Sequence, residues 1–322
     1  MTAHGPLQLA WRPFRFALPR RMVTAHGALE QRRGWLLRLQ ASDGRVGWGE
    51  AAPLVGEAAH PEHLGGCLDR PELEQRLEGL PASLACACGM ALAELDGLGS
   101  AQGGGWLPAP PSAHLLPAGE AMLPALEQAL ASASAAGHPL VVKWKVAAAD
   151  DRLERRLLLE LLDGLPPSAR LRLDANGGWD RATASWWADL LVGDPRLDWL
   201  EQPLPPADHG GLEALAAYLP VALDESLRVR PALMRHGWSG WQVRRPAVEG
   251  DPRPLLAALA AGTPQLMVST ALETGIGRRL VAHLAALQAQ GPTPTAPGLA
   301  PGWRPQGALF SVDPLQVWEA AA

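Results

Sequence analysis

Between about residue 112 and residue 297, short apolar runs alternate with amphipathic stretches of helical period. The runs are 114–116, 140–145, 170–174, 197–200, 221–223, 241–243, 266–269 and 293–296, and each reads as a buried strand. Their starts lie roughly 20 to 30 residues apart, the length of one β/α unit. In the intervening segment 150–163, leucines at 153, 157, 158, 161 and 162 form one apolar face, and Gly164 supplies a stop. Eight strands at this pitch predict a parallel (β/α)-type barrel. A doubly wound sheet would usually bring a glycine-rich first turn, and none follows the first strand.

The first ~105 residues carry a different pattern. Residues 6–17 and 34–49 alternate like a hairpin, and a helical stretch follows near 84–98. This predicts an α+β domain over 1–105, completed by 307–322 returning to it, and a barrel over 106–306. The glycine- and proline-rich segment 101–111 is the expected linker.

Composition narrows the function classes. With 48% hydrophobic residues and a formal net charge of −5, the chain shows no nucleic-acid footprint. Its arginines are scattered or stand beside acids, as in Asp151-Arg152 and Glu154-Arg155-Arg156, the pattern of solvated helix faces. Cys67, Cys86 and Cys88 lack a C-x-x-C spacing and read as small core residues in a reducing compartment. No apolar run approaches the ~20 residues of a membrane span, and the N-terminus lacks a signal-peptide pattern. The expectation is a cytoplasmic globular protein, monomeric or homo-oligomeric.

Only two lysines occur, Lys143 and Lys145, among 28 basic residues. Arginine keeps its proton in proteins, whereas lysine loses it readily when buried or crowded. A chain that uses arginine everywhere else therefore marks this pair as a place for proton transfer. Two apart on a strand, both side chains face the same way, with Trp144 turned to the helical layer. Three acids, Asp174, Glu201 and Asp224, each end their own strand, 27 and 23 residues apart. Successive strand ends meet at the face where barrel active sites form. Three carboxylates suit a hard dication with oxygen coordination, hence Mg²⁺.

Lys143-Trp-Lys145, Asp174-Ala-Asn176, Glu201-Gln-Pro, Asp224-Glu225-Ser and Ser269-Thr-Ala-Leu-Glu-Thr-Gly-Ile-Gly together resemble the enolase superfamily, in its muconate-lactonizing-enzyme-like subgroup. More locally, Gly-Trp-Gly-Glu-Ala-Ala-Pro-Leu at 47–54 and the early loop from Thr24 to Gly34 resemble o-succinylbenzoate synthases. The resemblance implies a modified (β/α)7β TIM-type barrel with an N-terminal α+β capping domain. It also implies dehydration of a cyclohexadiene carboxylate in menaquinone or phylloquinone synthesis, with Mg²⁺ and a small carboxylate substrate. Removing a proton beside a carboxylate leaves a dianionic enediolate, so a cation on its oxygens and a neutral base are both needed.

By resemblance Lys145 stands next to the reacting carbon. Lys143, the dication and Arg172 are expected to disfavour its charged form. Asn176 and Glu225 flank the metal ligands. Ser269, Thr270 and Gly298 fall where relatives bind substrate, and Arg20 and His26 lie on the loop that caps relatives' active sites. Arg245 departs from the pattern, because relatives present a lysine before that proline. Racemases and epimerases need a deprotonatable base on each side of the substrate, which arginine cannot be; a syn dehydration needs only a cation there. Ala296-Pro-Gly298 departs again, where relatives often carry histidine before the glycine. A cycloisomerase, a dipeptide epimerase and a non-catalytic anion-binding barrel remain alternatives. Thr274-Gly-Ile-Gly could present N–H groups to an anion or form a tight turn.

Overall fold

Alternating apolar residues build an antiparallel sheet at the N-terminus from β1 (Pro6–Thr24), β2 (Gly27–Ala41), β3 (Val46–Ala51) and β4 (Cys67–Asp69), in the order β3-β2-β1-β4. The computed structural model of the chain describes residues 6–24, 27–53, 57, 59–64 and 67–321. The stretch expected as one strand over 34–49 is two. Asp43-Gly44 turns the chain between β2 and β3, with Gly44 at φ +86°, a conformation glycine adopts without steric cost.

Seven of the eight expected parallel strands form: β5 (His114–Leu116), β6 (Val141–Lys145), β7 (Arg170–Asp174), β8 (Leu197–Glu201), β9 (Val221–Leu223), β10 (Trp241–Arg244) and β11 (Leu266–Val268). They lie side by side in chain order, each followed by helical structure. This is the modified (β/α)7β barrel class with an N-terminal α+β domain. The eighth run, 293–296, forms no strand. Pro292, Pro294 and Pro297 remove the N–H groups a ladder needs. Strand-like pairing there is the bridge of Ser269 with Gly298, closed by Gly298 N–H on Val268 O at 2.9 Å and Thr270 N–H on Gly298 O at 3.0 Å.

Compactness divides the chain into Pro111–Val243 on one hand, and Met1–Pro110 with Arg244–Ala322 on the other. In Pro111–Val243 one continuous core fills the space between strands and helices. Trp144 is fully buried against Trp187, its ring centroid 6.1 Å away, as its outward position on β6 requires. The helix Asp151–Gly164 starts where Asp150 accepts hydrogen bonds from Arg152 N and Leu153 N, at 3.1 and 3.3 Å. Its Leu157, Leu158 and Leu161 are buried, each contributing roughly 1.5–3 kcal/mol by leaving water. Gly164 is the last helical residue rather than the stop beyond it.

In the other unit, β3 lies directly on the helix Ala82–Leu95. A Cβ on Gly47 would sit 1.9 Å from Ala91 O, and one on Gly49 would sit 2.0 Å from Ala87 O. The spacing of two along the strand meets the spacing of four along the helix, so only glycine fits either position. Trp48 faces the opposite side and packs at 5.5 Å on Trp318 of the helix Pro314–Ala320. Arg12 donates to Trp318 O at 2.9 Å, joining the C-terminal helix to the N-terminal sheet. Cys86 and Cys88 are buried free thiols; burial raises both, Cys88 to about 12. Among the described residues, no helix is long and apolar enough to cross a membrane.

Candidate active site

Register carries the lysines and acids to one end of the sheet. Lys145 pairs with Asp174 across β6 and β7, and Asp174 pairs with Glu201 across β7 and β8. Lys143, two residues back, shares the face of Lys145 and reaches both acids: its Nζ lies 2.8 Å from Asp174 Oδ2 and 2.5 Å from Glu201 Oε1. Asp174, Glu201 and Asp224 are 4%, 0% and 4% exposed, so their charges meet protein rather than bulk water. Asp224 lies two residues beyond Ala222, the register partner of Glu201.

Lys145 is only partly exposed, and its pKa is lowered. Burial is the largest cause, and the Lys143 ammonium adds to it, while Asp174, Glu201 and Glu225 pull the other way. Arg172, expected to press on Lys145, pairs with Asp198. Its Nε lies 2.9 Å from Asp198 Oδ2, and its guanidinium stacks over Trp199 at 4.1 Å. Asn176 donates from Nδ2 to Glu225 Oε1 at 3.1 Å, so these two flanking residues brace one another.

The ends of β6, β7 and β8 each enter a left-handed turn at a residue other than glycine: Ala147 at φ 56°, Asn176 at 46° and Gln202 at 39°. Such residues cost free energy and persist where their surroundings hold them. Two of the holding groups carried no expected role in the site, and Glu154, expected on a solvated helix face, is fully buried. Glu154 reaches back from its helix to accept hydrogen bonds from Ala147, Ala148 and Ala149 N, at 2.8, 3.0 and 2.9 Å, fixing the turn just after Lys145. Gln202 does the same after β9, accepting from Asp224 N and Ser226 N. Nothing in the spacing of Glu154 marks it out; Gln202 lies inside a quoted motif, but its partners are distant in sequence.

Arg245, Ser269, Thr270 and Gly298 belong to the other unit. Arg245 Nη1 donates to Thr270 O at 2.7 Å, and its backbone N–H donates to Glu249 Oε1 at 2.5 Å. Glu249 also holds Arg244, Nη2 to Oε2 at 2.8 Å. Ser269 Oγ donates to Gly298 O at 3.1 Å, and a Cβ on Gly298 would meet that Oγ at 2.9 Å. The helix start at Thr274 does bind an anion, and the anion is internal. Glu50 at the end of β3 accepts from Thr274 N and Gly277 N at 3.0 and 2.9 Å, and from Thr274 Oγ1 at 2.5 Å. Burial pushes Glu50 up to about 7 against these bonds. Glu273 likewise holds Thr270 Oγ1 and Ala271 N, at 2.5 and 2.6 Å. Arg20 lies in β1, and His26 lies outside the described residues.

The donor set suits a hard dication. Asp174, Glu201 and Asp224 offer only oxygen, are buried, and end adjacent strands. With Glu225, four acids stand at this end of the sheet beside two lysines, a carboxylate-rich setting that favours a cation. As the side chains stand, the Lys143 ammonium lies between Asp174 and Glu201, and among the described residues no three acidic, histidine or cysteine side chains enclose a metal-sized space.

Comparison with known proteins points the same way. Residues 125–237 match the enolase C-terminal domain-like family. The o-succinylbenzoate synthase of Thermosynechococcus vestitus is 37% identical over 296 residues, 85% of this chain and 87% of that one. That of Salmonella arizonae is 30% identical over 79% of this chain and 78% of its own. The crystal structure of o-succinylbenzoate synthase from Thermosynechococcus elongatus, complexed with Mg in the active site, superposes with a TM-score of 0.79 at 33% identity, covering 97% of this chain and 99% of that one. With its paired lysines and three strand-end acids, the chain belongs to the o-succinylbenzoate synthase family of the enolase superfamily.

Proposed function

We propose that the chain catalyses the Mg²⁺-dependent syn dehydration of 2-succinyl-6-hydroxy-2,4-cyclohexadiene-1-carboxylate to 2-succinylbenzoate, in the cytoplasm, on the route to menaquinone or phylloquinone. The observation that carries the reading is the half-buried Lys145 with its lowered pKa, beside Lys143, Asp174 and Glu201. A lysine kept neutral can take the proton from the carbon that bears the carboxylate. Its Nζ then holds that proton as an ammonium and delivers it to the departing hydroxyl on the same face. The C–H and C–O bonds break, a ring double bond forms, water leaves, and Lys145 returns to neutral.

Asp174, Glu201 and Asp224 are the residues that would hold Mg²⁺. When bound, the ion supplies the positive charge that stabilises the developing carboxylate dianion. Lys143 keeps two of these acids compensated and raises the cost of a second ammonium at Lys145. Asn176 and Glu225 steady the turns that follow β7 and β9. Arg245 provides a fixed cation at the end of β10, and its inability to give up a proton favours elimination over racemisation. Ser269, Thr270, Gly298, Arg20 and His26 are the substrate-binding residues that the family resemblance assigns.

The test is the purified protein with this substrate, with and without Mg²⁺, following the aromatic product by absorbance and mass. Metal-dependent 2-succinylbenzoate is the expected result. No turnover with metal bound would overturn the assignment and turn attention to cycloisomerase and dipeptide substrates.

A further inference from the structure

Glu201 and Asp224 stand at the ends of neighbouring strands, where the register partner of Glu201 is Ala222. Gln202 links the two strand ends beyond that pair. It is fully buried, sits at φ 39°, and uses both ends of its amide. Its Oε1 accepts from Asp224 N at 3.2 Å and Ser226 N at 3.0 Å, while its Nε2 donates to Ser226 Oγ at 2.8 Å and Leu204 O at 2.9 Å. One side chain therefore ties the turn after β8 to the turn after β9.

We propose that Gln202 is a positioning residue for the divalent cation: it fixes the Asp224 backbone against Glu201, so that two ligands are in place before the ion arrives. The inference rests on the metal-dependent reading above. Only a primary amide of this length meets the four partners, because two backbone N–H groups need an acceptor and the Leu204 carbonyl needs a donor. Glutamate would set a carboxylate oxygen against that carbonyl, and asparagine is one methylene shorter. The left-handed backbone turns the side chain across toward β9, and the four bonds offset its conformational cost.

The experiment is calorimetric titration of Mg²⁺, and Mn²⁺ titration by electron paramagnetic resonance, on the full chain and on Gln202→Met. The variant keeps length and loses all four bonds. Expected is a metal affinity about tenfold weaker or more, while turnover at saturating metal keeps its pH profile. A purely structural role would lower the melting temperature and leave the metal affinity of the folded protein unchanged; an unchanged affinity overturns the inference. Should Gln202→Met fail to fold, Ser226→Ala removes a single partner and is expected to weaken metal binding by about threefold. Equal affinity in that variant overturns the inference as well. Absence of metal binding by the unaltered chain would bring down the metal-dependent reading itself, a result distinguishable from the first because it needs no variant.

Discussion

The Lys143 ammonium lies 2.5 Å from Glu201 Oε1, with Glu201 fully buried. Removing a cation from such a pair leaves a carboxylate in a place water does not reach. Lys143→Met should therefore destabilise the metal-free protein by about 3–5 kcal/mol. Added Mg²⁺ should restore part of the loss. Chemical denaturation with and without the ion measures both; equal stability to the parent would mean that Lys143 does not compensate these acids.

Lys145→Arg keeps a long basic side chain but fixes a permanent positive charge in place of a lysine that can be neutral, and so removes the ability to act as a base. Turnover should fall by at least about a hundredfold with the circular dichroism spectrum unchanged. In the parent, the rate should rise with pH as Lys145 loses its proton. Because burial lowers its pKa, that rise should lie below the ordinary lysine range.

The Arg245 guanidinium donates from Nη1 to Thr270 O, and the Arg245 backbone N–H donates to Glu249 Oε1. If it serves as a cation only, Arg245→Lys should retain dehydration within about tenfold, and Arg245→Met should lose about a hundredfold or more. Comparable kcat in the Met variant would remove Arg245 from the reaction.

Glu50 carries a pH dependence. Its folded pKa, about 7, lies above its ordinary value of 4.5, so folding favours the protonated form. The contribution is full below about pH 4.5 and fades as pH rises through 7, on the order of 3 kcal/mol in all. Glu94 shifts the same way, also to about 7. Glu50→Gln should flatten part of the fall in stability between pH 4.5 and 7, read by melting temperature across that range. A slope identical to the parent would show that Glu50 titrates normally in the fold.

Gly49→Ala drives a methyl toward the Ala87 carbonyl. The strand must back away from the helix, at a cost of roughly 1–3 kcal/mol or more. Thermal denaturation reads this directly, and an unshifted melting temperature would show that β3 and its helix separate freely.

Much of this architecture was legible because local pattern and tertiary demand agree. The runs ending at Lys145, Asp174 and Glu201 are strands in the structure, since each is short, apolar and followed by a helix with a clear face. Legibility failed where a residue's meaning lies in a distant partner. Glu50 caps a helix that begins more than 200 residues later, and Gln202 bonds the backbone of Asp224 and Ser226, over 20 residues on. It failed again at 293–296, where an apolar reading overlooked that alternate prolines cannot donate to a ladder.

That proline-rich stretch has a further effect. It meets β11 at the Ser269–Gly298 bridge, and just ahead of that strand Gln265 N–H donates to Thr293 Oγ1 at 2.7 Å. A segment poor in N–H donors cannot seed a new strand on its own far side. The parallel sheet thus runs out into backbone that offers a further strand few donors, and replacing Pro294 and Pro297 by threonine would give two N–H groups back to this stretch.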